Sequence, residues 1–157
     1  MRAYSPMTGF LFFISFWIDI YLLLTVEKTS KMSEKKPFTL EFVFRASPHI
    51  LFNFITTPSG LTQWFADEVH IDKEVYTFGW SGTEEKAEVV EKHEPDLVRF
   101  RWEGAPEDEY FEFRIKKSEV TGDTILFLTD FAEDFDVEDQ KDLWQNQIDE
   151  LQKRVGG

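Results

Sequence analysis

The fold is decided by residues 38–67, which read FTLEFVFRASPHILFNFITTPSGLTQWFAD. From residue 38 to residue 44 every second side chain is large and apolar, which is the period of a strand with one buried face. Ser47 and Pro48 follow as an N-cap and a first helical residue, and apolar residues then recur at helical spacing. The segment therefore predicts a strand followed directly by a short helix.

A second helical turn is predicted after this helix. Residues 57–60, with the sequence TPSG, are expected to break the first helix because they contain proline and glycine. Trp64 and Phe65 then belong to a short helical turn that ends near Asp67. Two short helices are thus expected between the first strand and the second.

The chain after residue 67 consists of apolar-polar runs separated by short links with turn residues, as at Ser81 and Gly82. Links this short join neighbouring antiparallel strands. Aromatic and charged side chains alternate around residues 100 and 113, so one face of the sheet is aromatic and the other is charged. The predicted strands are residues 68–73, 75–80, 84–93, 97–103, 109–117 and 124–131.

The last segment, residues 137–155, carries an apolar stripe at helical spacing. Asp136 and Gly156 stand where a cap and a terminating glycine are expected. A sheet with one apolar face must cover that face, and this long helix is the element available. The sequence predicts the α+β class: a curved antiparallel sheet of about seven strands, two short helices after strand 1, and a long C-terminal helix packed on the sheet.

The composition limits the possible partners. The 157 residues include 30 acidic and 17 basic side chains, which gives a formal net charge of −13, and no cysteine. The lack of cysteine excludes disulfides and cysteine-ligated metal centres. The negative charge opposes binding to nucleic acid and to anionic membrane surfaces. We therefore expect an apolar small molecule or lipid, or a basic protein, as the partner.

Residues 1–31 differ from the rest of the chain. Residues 10–26 form an almost continuous apolar run, interrupted by Asp19, and a charged stretch follows. Three interpretations stay open: translation that starts at Met32, which implies a cytoplasmic protein; a membrane anchor through residues 10–26; or an export signal. We expect residues 32–157 to form the domain and residues 1–31 to be an extension of it.

The sequence contains no recognisable catalytic or metal-binding constellation. Residues 79–82 lack the spacing of the G-x-S-x-G nucleophile turn. The histidines, at positions 49, 70 and 93, are scattered and form no H-E-x-x-H pair. The acidic run at residues 130–142 lacks the ligand spacing of an EF-hand, and helix capping by Asp136 explains most of it. We predict no catalytic residue, no metal, no cofactor and no enzymatic activity.

Three strings resemble the START-like, or helix-grip, superfamily, in particular the branch related to the activator of heat-shock protein 90 ATPase. They are VFRASPHILFNFITTPSGLTQWFAD at 43–67, AEVVEKHEPDLVRFRWEG at 87–104 and DTILFLTDFAED at 123–134. The resemblance implies a sheet wrapped around the last helix, often with an apolar cavity between them. Two departures are the link at 72–75, which lacks the family's glycine-rich turn, and the heavy acidic load. A standalone START-like domain of unassigned activity fits better than a co-chaperone.

The inward-facing side chains, mostly aromatic, are the candidates for the lining of this cavity. Each large ring fills space that a cavity needs, so these side chains either line an open pocket or fill it. The face assignment of each strand depends on its register, because a slip of one residue exchanges the two faces. The predicted ligand-binding residues are Trp64, Phe78, Trp80, Phe100, Trp102, Phe111, Phe113, Phe127, Trp144 and Ile148.

The expected function is therefore that of a binding module, which holds an apolar or aromatic molecule between the sheet and the last helix. The alternative is an acidic protein-interaction domain of the co-chaperone type, which meets a basic surface. A third function, an enzyme of the cyclase or hydrolase kind, lacks a residue that we can name as catalyst. Arg99 and Arg101 lie on the charged face, where cross-strand partners such as Glu112 are expected to pair with them.

Overall fold

The computed structural model describes residues 34–156, which form seven strands and three helices. The apolar run at residues 10–26, and the interpretations that depend on it, lie outside the described residues. In chain order the elements are β1 (Lys36–Phe44), α1 (Pro48–Thr56), α2 (Pro58–Leu61), β2 (Glu68–Asp72), β3 (Val75–Trp80), β4 (Thr83–His93), β5 (Leu97–Trp102), β6 (Phe111–Lys117), β7 (Thr124–Ala132) and α3 (Val137–Val155).

The strands form one antiparallel sheet in the order β1-β7-β6-β5-β4-β3-β2. Consecutive strands from β2 to β7 are neighbours, as the short links require, and β1 closes the series by pairing with β7. The helix α3 packs against β1, β7 and α1, so it covers the apolar face of the sheet. We call this covered face the inner face. The predicted α+β class and its order of elements are confirmed.

The start of α1 and the break after it follow the sequence signals, but the second helix begins earlier than predicted. The Ser47 Oγ accepts a hydrogen bond from the Ile50 N–H at 3.4 Å, as an N-cap does. The helix α1 ends at Thr56, and the extended residue Thr57 separates it from α2. The Thr57 hydroxyl oxygen accepts from the Gly60 N–H at 3.1 Å and so caps α2, which begins at Pro58 inside the predicted break. A Cβ on Gly60 would lie 2.4 Å from the Asn53 carbonyl oxygen, so only glycine allows the two helices to meet this closely.

The bounds of α3 agree with the prediction, although its first turn is held differently. The helix spans Val137–Val155 and ends at Gly156, which has the left-handed conformation that favours glycine. Asp136 occupies the N-cap position, but its side chain makes no hydrogen bond to the helix backbone. Its carboxylate accepts instead from the Gln140 side chain, with Nε2 and Oδ2 3.0 Å apart. The prediction of a side-chain cap at Asp136 was wrong in this detail.

No helix among residues 34–156 is long and apolar enough to cross a membrane.

Candidate functional site

The inner face of the sheet is covered by aromatic side chains. Most of the residues predicted to line the interior are less than a tenth exposed, and Trp102 is half-buried at the edge of the group. The strands supply these residues at every second position, and the helical turn after α2 and the helix α3 add the others. The buried ones among the predicted residues are Trp64, Phe78, Trp80, Phe100, Phe111, Phe113, Trp144 and Ile148.

These rings contact one another and fill the space beneath α3. The ring of Phe65 lies 4.9 Å from that of Phe78 and 6.1 Å from that of Trp144, between centroids, so it joins the sheet to the helix. The ring of Phe111 stacks on that of Trp102, with 4.9 Å between the two centroids. Centroid distances of this size are those of packed aromatic pairs. Of the two alternatives left by the sequence, these contacts favour the filled interior.

One predicted wall residue, Phe127, lies on the opposite side of the sheet. The inward positions of β7 are those of Thr124, Leu126 and Leu128, so Phe127 faces outward. There its ring is 5.7 Å from the ammonium nitrogen of Lys116, a cation–π distance. The face assignment of Phe127 was wrong by one residue, because apolar side chains occupy both faces of this strand and blur its period.

Two of the indoles hold the helical region in place: Trp64 joins the turn after α2 to α1, and Trp80 joins that turn to β3. The Trp64 Nε1–H donates to the Phe54 carbonyl oxygen at 2.9 Å. The Trp80 Nε1–H donates to the Phe65 carbonyl oxygen at 2.8 Å. Both bonds satisfy a buried polar group locally, so these two rings are positioned by the scaffold.

The indole of Trp144 is bound differently, by a carboxylate. Its Nε1–H donates to Asp130 Oδ2 at 2.8 Å, and the other oxygen of Asp130 accepts from the Phe131 N–H at 2.8 Å. Asp130 is 9% exposed and lies on the inner face of β7, opposite Phe38 on β1. Burial raises the pKa of Asp130 from 3.8 to about 6, although the two hydrogen bonds act in the opposite direction. This contact therefore joins α3 to the sheet through an inner-face carboxylate.

An ion pair lies close to this carboxylate. The Lys35 Nζ is 3.0 Å from Glu109 Oε2, and both side chains are mostly buried. Lys35 favours the charged form of Asp130, whereas Glu109 disfavours it. The three groups together carry two negative charges and one positive charge when ionised.

Two glutamines complete this polar cluster on the buried stripe of α3. Gln140 and Gln147 are 7% and 3% exposed, on the same stripe as Trp144. The side-chain oxygen of each is buried and has no hydrogen-bond partner among the described residues. Burying an amide oxygen without a donor costs roughly 1–3 kcal/mol. We call Asp130, Gln140, Trp144 and Gln147 the polar cluster beneath α3.

Sequence reasoning predicted Trp144 but missed the other three members of this cluster, although one signal for them was present. Asp130 begins the acidic run at residues 130–142, which was interpreted as helix capping and solvated surface. The period of β7 nevertheless places Asp130 on the same face as Leu126 and Leu128. The glutamines occupy helical positions i and i+7, either side of Trp144, and their polarity hid their inward direction.

The outer face of the sheet has a charged network of its own. Glu112 is buried there and accepts from Arg99 on β5, with an N–O distance of 2.6 Å, and from Arg114 at 3.1 Å. Arg99 also contacts Glu91 and lies 4.3 Å over the ring of Tyr110. The expected pairing of Arg99 with Glu112 is confirmed. These contacts account for the arginine without a binding site.

A hollow of about 430 Å³ lies at the other end of α3, lined by Asp149, Gln152, Lys153 and Gly156. It is open to solvent, and it includes none of the predicted wall residues. Its lining contains no aromatic ring, unlike the interior. No group of three or more His, Asp or Glu side chains in residues 34–156 is arranged to hold a metal ion.

Comparison with known proteins identifies the family. The family model of the START-like superfamily domain matches residues 32–157. A Bacteroides fragilis protein solved by NMR is 37% identical, with a TM-score of 0.60, and the match covers 79% of this chain and 93% of that chain. The comparison with curated proteins found no match.

Two more distant structures share the fold. The Aha1 dimer from Colwellia psychrerythraea is 18% identical, with a TM-score of 0.64 and coverage of 76% of this chain and 96% of that chain. DynU16, a protein of the dynemicin biosynthetic locus, is 16% identical, with a TM-score of 0.65 and coverage of 76% and 47%. The family match and the Bacteroides fragilis structure together show that this chain belongs to the START-like superfamily.

Proposed function

We propose that this domain is a binding module that holds a small apolar or aromatic molecule, or a lipid, between the sheet and α3. The observation that carries the proposal is the polar cluster beneath α3, which lies inside an otherwise aromatic interior. Ligand pockets combine apolar walls with a few polar groups that orient the ligand. Gln140 and Gln147 keep buried oxygens without donors at some cost in stability, and a bound molecule that donates to them would offset that cost.

Because rings fill the interior, the ligand enters by displacing α3 and the side chains beneath it. The helix is suited to such a movement. Its buried side chains are only five, and two of them are glutamines, so Trp144, Ile148 and Leu151 supply its fully buried apolar contacts. Moving α3 away from the sheet therefore exposes less apolar surface than moving a helix whose buried stripe is wholly apolar.

We also propose that the domain binds its ligand without converting it. The three histidines, which are the usual general acids and bases near neutral pH, are all exposed. None of them lies among the inner-face rings. The position of the DynU16 gene in a biosynthetic locus is compatible with a small-molecule ligand for this fold.

The test is a titration of the purified protein with palmitate, cholesterol and anthracene, followed by tryptophan fluorescence. We expect saturable quenching or a blue shift with at least one of them, because four tryptophans lie around the interior. Trp102→Ala, at the half-buried edge of the rings, is expected to weaken binding about tenfold. Phe127→Ala, an aromatic truncation on the outer face, is the matched control and should leave binding unchanged.

Two results would contradict the proposal. One is the absence of saturable binding by all three compounds to folded protein. The other is an equal loss of affinity in the Trp102 and Phe127 variants, which would place the binding site outside the interior. Thermal melting of both variants shows whether each one is folded at the titration temperature.

A second candidate function, docking to a basic protein, is favoured by one surface observation. Phe135 is 70% exposed in the link before α3 and stands between Asp134 and Asp136. An exposed aromatic residue with acidic neighbours suits a partner that offers an apolar pocket with a basic rim. The structural likeness to Aha1 fits this alternative.

Salt dependence separates the two functions. A complex steered by charge weakens steeply as ionic strength rises, whereas binding in a buried aromatic interior changes little. Recovery of a basic protein at low salt, lost with Phe135→Ala, would support the docking function. Failure to recover a partner with the unmodified domain at low salt would remove it.

A further inference from the structure

The polar atoms beneath α3 that lack a hydrogen-bond partner among the described residues are acceptors. The amide orientation of Gln140 is fixed, because its Nε2 donates to Asp136 Oδ2, and a flipped amide would bring its oxygen against that carboxylate. Its oxygen therefore remains an acceptor without a donor. The oxygen of Gln147 is in the same state, and each oxygen of Asp130 accepts one hydrogen bond and has a further lone pair. A ligand that satisfies these atoms must bring donors.

The charge of the cluster indicates which kind of donor. Asp130, Glu109 and Lys35 have a net charge of −1 when ionised, so a positively charged donor is favoured over a neutral one. Hydrogen bonds between an ammonium group and a carboxylate are roughly twice as strong as neutral ones. A carboxylate or phosphate on the ligand would instead be repelled by this cluster.

The surrounding rings favour the same charge. The indole of Trp144, whose N–H binds Asp130, packs 5.8 Å from the ring of Phe113 and 6.2 Å from that of Phe111, so the carboxylate stands next to one member of the aromatic set. Aromatic faces attract cations through their quadrupole, and more strongly when water is excluded.

We propose that the ligand of this domain is an aromatic or polycyclic molecule with a protonated amine, which donates to Asp130 and to one side-chain amide oxygen of α3, that of Gln140 one turn before Trp144 or that of Gln147 one turn after it. The proposal rests on the proposed function, since it assigns the class of molecule that enters beneath α3. The aromatic body replaces ring contacts, and the ammonium group supplies the missing donors and the compensating charge.

The test uses three naphthalene probes that share one ring system and differ in one group: 2-naphthylmethylamine, 2-naphthalenemethanol and 2-naphthylacetic acid. Binding to the full chain at pH 7.5 is measured by NMR chemical-shift titration. We expect the amine to bind at least tenfold more tightly than the alcohol, and the acid to bind most weakly. The largest shifts are expected at the indole N–H of Trp144.

Variants show whether the preference depends on the cluster. Asp130→Asn keeps an acceptor for the indole and removes the charge, so the ratio of amine to alcohol affinity should fall about tenfold. Asp134→Asn makes the same change in an exposed residue nearby and is the matched control, with no change in the ratio. Gln147→Leu is a second variant that removes an acceptor without removing charge, and it should reduce amine affinity several-fold.

The affinity for the amine should also fall as the pH is lowered through about 6, because Asp130 then gains a proton. Equal affinity for amine and alcohol, or a preference that persists in both Asp130→Asn and Gln147→Leu, would overturn the amine assignment and leave the proposed function standing. Failure of all three probes and of the earlier lipid and aromatic panel would overturn both.

Discussion

Two buried carboxylates, one on each face of the sheet, are held in different ways. Glu112 on the outer face and Asp130 on the inner face are both less than a tenth exposed. Glu112 is contacted by the guanidinium groups of Arg99 and Arg114. Among residues 34–156, Asp130 accepts hydrogen bonds from N–H groups alone, those of the Trp144 indole and the Phe131 backbone. The sheet therefore neutralises a buried acid on one face and leaves a buried acid poorly compensated on the other.

The different partners of the two carboxylates indicate that Glu112 stabilises the fold and that Asp130 is a candidate for a functional role. A guanidinium that chelates a carboxylate satisfies its charge within the protein, and nothing further is needed. Although burial alone would lower the pKa of Arg99, its hydrogen bond to Glu112 raises it above the ordinary value. At Asp130 the raised pKa shows that the ionised form is disfavoured in the folded state. Such a group is a candidate for interaction with something outside the chain.

The largest expected effect comes from breaking the aromatic packing of the inner face. Phe113 is 1% exposed and contacts Trp64 and Trp144 edge to face. We expect Phe113→Ala to lower the free energy of unfolding by about 3–5 kcal/mol, because it leaves a cavity in a packed core. Phe127→Ala on the outer face should cost about 1 kcal/mol, from lost partial burial and the Lys116 contact. Equal losses in chemical denaturation would contradict this distinction between the faces.

The second effect concerns the pH dependence of stability at Asp130. Its pKa is about 6 in the folded state and near 3.8 when unfolded, so the folded state binds the proton more tightly. This stabilisation is complete below about pH 4 and is lost as the pH rises through 6. A shift of about two pKa units corresponds to roughly 3 kcal/mol. We expect Asp130→Asn to gain about that much relative to the unmodified protein between pH 4 and pH 7.5.

The prediction concerns the difference in unfolding free energy between Asp130→Asn and the unmodified protein. The titration of all other groups therefore cancels to first order. Denaturant unfolding at a series of pH values gives the difference directly. Asp134→Asn is again the control, and its difference from the unmodified protein should change little over the range. A flat difference for Asp130→Asn would show that the carboxylate is as well compensated as Glu112.

A smaller loss is expected when the outer-face network is broken at its centre. Glu112→Gln leaves Arg99 and Arg114 without their shared carboxylate. Removing one member of a buried pair costs several kcal/mol, but both arginines are more than a quarter exposed, so we expect about 1–2 kcal/mol. Glu41→Gln, an exposed acid on the same face, is the control. A loss no larger than that of the control would mean that solvent already screens the network.

Most of the fold could be predicted because its signals are local and regular. Alternation on β5 and β6, the Ser47-Pro48 start of α1 and the stripe on α3 each specify an element and its buried face. The errors fall where a signal is ambiguous. On β7 both faces carry apolar side chains, which led to the wrong face for Phe127. The second helix begins at Pro58, inside the segment that proline and glycine marked as a break.

The candidate site was harder to predict because its polar residues are ordinary surface residues in composition. An aspartate in an acidic run and glutamines on a helix give no sign of burial until the register of β7 and the rotation of α3 are known. All of the predicted aromatic residues except Phe127 lie on the inner side of the sheet, because size and alternation mark them, but Phe65, which joins the sheet to α3, was not among them. Whether they leave a cavity depends on side-chain packing, which periodicity does not describe.

The smallest expected effect concerns the buried side-chain amide of Gln147, compared with the exposed amide of Gln145. Gln147 is 3% exposed with an unpartnered oxygen, whereas Gln145, two residues earlier, is exposed and donates to Asp149 at 2.9 Å. Replacing a buried polar group that lacks a partner by an apolar one of similar size is neutral to stabilising, so Gln147→Leu should raise the free energy of unfolding by up to about 1 kcal/mol. Gln145→Leu should not raise it. A clear loss of stability in Gln147→Leu would mean that the amide is already satisfied, and the case for a donor-bearing ligand would lose one of its two acceptors on α3.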